Sequence, residues 1–190
     1  MTKAWLVLAA VMGLAGSCVY GQQMTRAELA GKFAAEARAL SDAGVEYGQA
    51  WTPPGQTQAW VMDCSNTARW FYASALGKAL PRTASDQYEA LRAEGRLWRG
   101  SGLNPFWLSG LKPGDLLFWE NTYRPPRRPP ITHVMVYLGR DASGRMMMAG
   151  SQGSRGVDIY TFDPEKPMGG YNWFLWFKKK GRFVAYGRPS

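Results

Sequence analysis

The chain has 190 residues, a formal net charge of +9, 46% hydrophobic residues, 22 Gly and nine Trp. That length suits one domain with a sizeable core, and the apolar content excludes a disordered chain. The basic balance points to anionic partners, either polymers or lipid headgroups.

The first element is an apolar stretch from Ala4 to Gly16 that follows Lys3. It is too short to span a bilayer and reads as the core of a signal peptide over residues 1–21. Two exits are open. "AGSC" at Ala15–Cys18 is an imperfect lipobox that would make Cys18 a lipid-modified N-terminus and tie the protein to a membrane. Alternatively, a peptidase cuts after Gly16 or Gly21. Either exit places residues 22–190 outside the cytoplasm as a single domain, whether periplasmic, envelope-bound or secreted. Export disfavours nucleic acid as a partner, and a monomer is expected.

Thr25 and Glu28 form a capping-box pattern that opens a helix with apolar Leu29, Phe33, Ala37 and Leu40, closed by Gly44. A Pro/Gly/Gln loop runs from Trp51 to Trp60. A second helix starts at or near Cys64, capped by Asp63 or Ser65, and stops at Gly77. A third covers roughly Ser85 to Ala93 and ends at Gly95. The period then changes to two. "KPGD" at 112–115 turns into "LLFW", and "THVMVYLG" alternates, with His133, Met135 and Tyr137 on one face and Val134, Val136 and Leu138 on the other. "RDASGR" is a hairpin loop before "MMMA", and "VDIY", "WFLWF" and "RFVAYG" read as further strands. The aromatic run "YNWFLWF" reads as a strand buried on both faces. Helices first and short strands afterwards predict an α+β fold, with N-terminal helices packed on a five- to six-stranded antiparallel sheet.

Cysteine and histidine counts narrow the chemistry. Cys18 is lipidated or removed with the signal, so Cys64 is the remaining thiol, with no partner for an internal disulfide and no second thiol for zinc. No metal or cofactor is expected. A helix N-terminus favours the thiolate. A cysteine hydrolase also needs a base, and His133 is the sole histidine in the chain. Packing is the ordinary role for either residue; the pairing of two unique residues, each in a distinctive local motif, is what lifts them.

Those motifs carry a resemblance. "DCSNTARWFY", "LPRTASDQY", "LKPGDLLFW" and "THVMVYLG" resemble, in order, four segments of the NlpC/P60 cell-wall cysteine peptidases. The resemblance implies a papain-like α+β fold and cleavage of amide bonds in peptidoglycan stem peptides, typically between D-glutamate and a diamino acid. It implies Cys64 as nucleophile and His133 as base. It places Asp63 and Ser65 beside the substrate's free amine and Tyr47 on the site wall, although Asp63 serves equally as a helix cap. Three departures stand out. Asn66 and Met135 each replace a family glycine, and the second histidine that often orients the base is absent. Register from His133 sets Met148 at that position. Gln152, of the same strand parity, is the first candidate for orienting the ring; Ser151 and a backbone carbonyl are the alternatives. "RPPRRPP" at 124–130 precedes His133 and could rim the cleft or be a plain loop. The readings that compete with the peptidase are an amidase or acyltransferase on another amide or ester, and a non-catalytic wall-binding relative.

Overall fold

A computed structural model describes residues 24–49, 61–100, 105–124, 127–174 and 177–190. The signal segment with Cys18, the whole Trp51–Trp60 loop and part of "RPPRRPP" lie outside the described residues.

Three α-helices come first among the described residues. Helix α1 spans Arg26–Asp42, and the expected capping box is made: the Thr25 N–H donates to the Glu28 carboxylate at 2.7 Å, and the Glu28 N–H donates to the Thr25 hydroxyl at 3.2 Å. Leu29, Phe33, Ala37 and Leu40 are its buried stripe. Helix α2 spans Cys64–Leu76 and ends on Gly77 at φ 62°, the left-handed position glycine takes without strain. Helix α3 spans Ala84–Ala93, capped by Thr83.

Six strands form one antiparallel sheet: β3 (Leu97–Arg99), β4 (Leu116–Glu120), β5 (Ile131–Arg140), β6 (Met146–Gln152), β7 (Gly156–Thr161) and β10 (Arg182–Gly187), in the order β3-β10-β4-β5-β6-β7. This is the α+β arrangement expected from the order of elements. Two short parallel strands, β1 (Glu46–Tyr47) and β2 (Val61–Met62), pair on their own and precede α2.

Each strand serves two cores. Leu116, Phe118, Val134, Val136, Ala149 and Val157 face the helices. Leu117, Trp119, Met135, Tyr137, Met148 and Tyr160 face the other way, where Phe162 and Phe183 pack on them and Trp107, from the 3-10 segment Pro105–Gly110, lies against Phe183. Burial on both faces explains the near-continuous apolar runs in β4 and β5. The "KPGD" turn is tied from the C-terminus. Arg188 donates to both oxygens of Asp115 at 2.7 Å, and Asp115 is fully buried.

One expectation is overturned. "YNWFLWF" is not a strand buried on both faces. The chain turns back within it, so that β8 (Gly170–Phe174) and β9 (Phe177–Lys180) make a separate two-stranded hairpin. Phe174 is 62% exposed and Phe177 is 68% exposed. The place beside β4 is taken by β10, and the hairpin base is held instead at Thr122, whose carbonyl accepts from the Gly170 N–H at 2.7 Å.

Candidate active site

The site is built where β5 and β6 part. Their paired register begins at Arg140↔Met146 and stops at Val136↔Ala149, while β6 runs on against β7 as far as Gln152↔Gly156. Nearer its N-terminal end, β5 therefore has no strand partner on its β6 side among the described residues, and the start of α2 packs there. The Val134 N–H is placed to donate to the Cys64 sulfur.

Cys64 is the first residue of α2 and is 5% exposed. Burial pushes its thiol up to about 12, opposed by the N–H groups of Val134, Ser65 and Cys64 itself, which favour the thiolate. His133 is 3% exposed, and burial pulls its imidazole down to about 4, opposed by the Asp63 carboxylate. At neutral pH the free protein therefore holds a thiol and a neutral imidazole. The two side chains make no mutual hydrogen bond among the described contacts.

Strand alternation explains the approach. His133 shares the second face with Met135 and Tyr137, and its ring packs edge-on to Trp119 at 6.0 Å. Cys64 comes from the helix face. Cys64 and His133 thus lie at the same end of β5, and Cys64 is not among the residues that line the cavity beside His133. His133 Nε2 is buried without a partner among the described residues.

Asp63 does the capping. Its carboxylate accepts from the Asn66 N–H at 2.7 Å and the Ser65 hydroxyl at 2.8 Å, and pairs with Arg82 at 2.6 Å. Arg82 also donates to the Ser65 hydroxyl at 3.0 Å. Buried Gln87 donates to the backbone carbonyls of Ser65 at 3.1 Å and Pro81 at 2.9 Å, which fixes the first turn of α2. Sequence reasoning quoted "LPRTASDQY" without singling out Arg82 or Gln87; their position in a motif of its own was the available signal.

Tyr47, His133 and Gln152 line one cavity of about 620 Å³, together with Thr122, Tyr123 and Arg155. The Tyr47 phenol is pushed up to about 12 by partial burial and then by the nearby Cys64 and Asp63. Strand β1 is held close by Gly156 at φ 65°, where a Cβ would lie 2.1 Å from the Val45 carbonyl.

The orienter candidates separate by face. Met148 pairs with Tyr137 in the second core, four residues along β5 from His133, which corrects the register expected from sequence. Gln152 shares the parity of Met148, and continuing the Val136↔Ala149 register sets it across from His133. Ser151 has the opposite parity and is fully buried, its hydroxyl without a partner among the described residues. Met135 does not line the cavity. Its sulfur sits 2.5 Å from where a Gly150 Cβ would be, so the missing side chain on β6 receives the added bulk on β5.

The NlpC/P60 family model matches residues 48–165, and the chain belongs to that family. The match contains Cys64, His133 and Gln152. Among curated proteins, the gamma-DL-glutamyl hydrolase of Bacillus subtilis (strain 168) is 30% identical over 95 residues, half of this chain and 18% of the hydrolase. A solved structure described as similar to lipoprotein, NLP/P60 family, from Staphylococcus aureus subsp. aureus Mu50 is 25% identical, with a TM-score of 0.46, over 70% of this chain and 36% of that one. The chain thus spans well under half the length of either relative. The family and the hydrolase-named relative agree with the expectation of a cysteine-type hydrolase.

Proposed function

We propose that the chain is an exported cysteine peptidase that hydrolyses amide bonds in peptidoglycan stem peptides, of the D-glutamyl–diamino acid endopeptidase type. The observation that carries the reading is a thiol at a helix N-terminus meeting the strand end that bears the sole histidine. The family match and a relative named for glutamyl hydrolysis support the bond class. Export, and a membrane anchor through Cys18, belong to the same reading.

His133 takes the Cys64 proton as the sulfur attacks the substrate carbonyl. The carbonyl oxygen gathers charge near the Cys64 and Ser65 N–H groups at the start of α2. The imidazolium then protonates the leaving amine as the C–N bond breaks, leaving a thioester. Water, deprotonated by the imidazole, cleaves the thioester and restores the thiol. Gln152 accepts from the far ring nitrogen, so that the nitrogen facing Cys64 can receive a proton. Asp63 and Ser65, tied to Arg82, face the substrate's free amine, and Tyr47 walls the cleft.

Purified sacculi provide the test. Cys64→Ala and His133→Ala should abolish peptide release with folding intact, and full activity of Cys64→Ala would overturn the proposal. Mass spectrometry of the products separates this peptidase from an amidase or acyltransferase acting elsewhere. The unpartnered His133 Nε2 and the neutral resting pair favour a second reading, a wall-binding relative without turnover. Thiol labelling across pH decides it: an apparent pKa near that of free cysteine, unmoved by His133→Ala, identifies the binding protein.

A further inference from the structure

The β8–β9 hairpin stands outside the hydrolase chemistry. Phe174 and Phe177 are cross-strand partners at its turn end, and both are mostly exposed. Lys178, Lys179 and Lys180 follow on β9, every one exposed. Asn172 pairs with Lys178 and Tyr171 with Lys179, so the cations lie directly behind the aromatic pair. The opposite end of the hairpin is clamped. The Gly170 N–H donates to the Thr122 carbonyl, and a Cβ at Gly181 would fall 2.0 Å from the Met168 carbonyl. Thr122, Met168 and Gly169 also line the candidate active-site cavity.

The two phenyl rings, paired across the hairpin, make a contiguous exposed apolar tip of the kind that serves as a contact surface. Phenyl rings offer no hydrogen bond, so hydrocarbon suits them better than the hydroxyl-rich face of a glycan. Lysines set behind an apolar tip match the layering of a bilayer, with acyl chains deeper and anionic headgroups above. The net charge of +9 favours the same surface.

We propose that the β8–β9 hairpin docks on anionic lipid membranes, with Phe174 and Phe177 entering the acyl boundary and Lys178–Lys180 pairing with headgroups. Because the hairpin base forms part of the cavity wall, docking holds the cleft at a set height and angle above the membrane. This site does not depend on the hydrolase reading or on Cys18.

The test uses the full chain with Cys18→Ser and Cys64→Ser, carrying an environment-sensitive fluorophore on Phe174→Cys or, as a control, on the exposed Ser143→Cys. Vesicles contain phosphatidylcholine alone or with phosphatidylglycerol. Emission from position 174 should shift to the blue and brighten with the anionic vesicles only, while position 143 stays unchanged. Replacing all three lysines by Gln should weaken the titration by about tenfold or more. The proposal fails if position 174 is unmoved by anionic vesicles. It fails equally if purified sacculi shift it as much as lipid does, or if the shift follows protein concentration without lipid, which would mark a glycan or a second copy as the occupant.

Discussion

The two faces of β5 hold Asp63 and His133 differently. On the helix face, Asp63 is shared among a backbone N–H, a hydroxyl and Arg82, and Gln87 locks the turn that carries Cys64. On the second face, His133 Nε2 and Trp119 Nε1 are buried without partners among the described residues. The turn that carries Cys64 is thus tied by hydrogen bonds, although Gln87 Oε1 and Ser151 Oγ on that side also lack partners among the described residues, while His133 has no such tie at Nε2. A buried polar atom without a partner costs about 1–3 kcal/mol, so the second face is where substrate or a moving side chain has most to contribute. The resting pair is neutral because burial disfavours both ions, and the Asp63 carboxylate near His133 and the N–H groups near Cys64 offset it only in part.

The comparison can be broken in graded ways. The largest effect is expected at the meeting point itself, where Cys64→Ala should lower the release of wall peptides on the order of 10⁴-fold or more, measured against wild type under the same conditions. Next comes the tie beneath both faces. Arg188→Ala strips the buried Asp115 of its bidentate partner and should cost about 3–5 kcal/mol in urea unfolding, because the carboxylate stays in the core.

The third effect is a pH dependence with a definite sign. The folded His133 binds its proton more weakly than the unfolded chain does. Its contribution is therefore intact above pH 6.5 and is lost as pH falls towards 4, by about 3 kcal/mol in total. Urea midpoints taken across that window should drop, and His133→Asn should flatten the slope. A smaller effect distinguishes the faces directly. Gln152→Ala should lower kcat by about 10- to 100-fold with little change in KM and shift the acid limb of the rate profile, while Ser151→Ala leaves the profile in place. Equal effects at the two positions would remove the assignment by face. The smallest is Arg82→Ala, whose partly exposed pair with Asp63 should be worth about 1 kcal/mol of stability. A larger drop would show that Arg82 also holds the α2 cap in shape.

Much of this was legible in local sequence, for local reasons. The Thr25–Glu28 box, the stop at Gly77 and the alternation in "THVMVYLG" are set within a few residues by hydrogen bonding and side-chain period. Each appears in the structure close to where it was expected. Cys64 at a helix start and His133 on a strand were legible for the same reason, and export with its signal segment rests on residues outside the described ones. Arg82 and Gln87 were present in a quoted motif, but their targets lie 17 to 22 residues away on the turn of α2. No local pattern reports a contact of that kind.

Most of the order of helices and strands, a helix-start cysteine with the one histidine on a strand, and the family were all readable along the chain. Three features came from packing between distant segments. It set Met148 against Tyr137, because β5 and β6 meet in a register that a bulge after Tyr137 shifts. It exposed the aromatic run, because β10 rather than β8 completes the sheet beside β4. It brought the start of α2, with Cys64, to the end of β5 that carries His133, because the β5–β6 ladder stops at Val136 and leaves the strand edge open to α2. Register, edge occupancy and the end of a ladder all depend on which distant segments compete for the same hydrogen bonds, and that competition is settled only once the whole chain has packed.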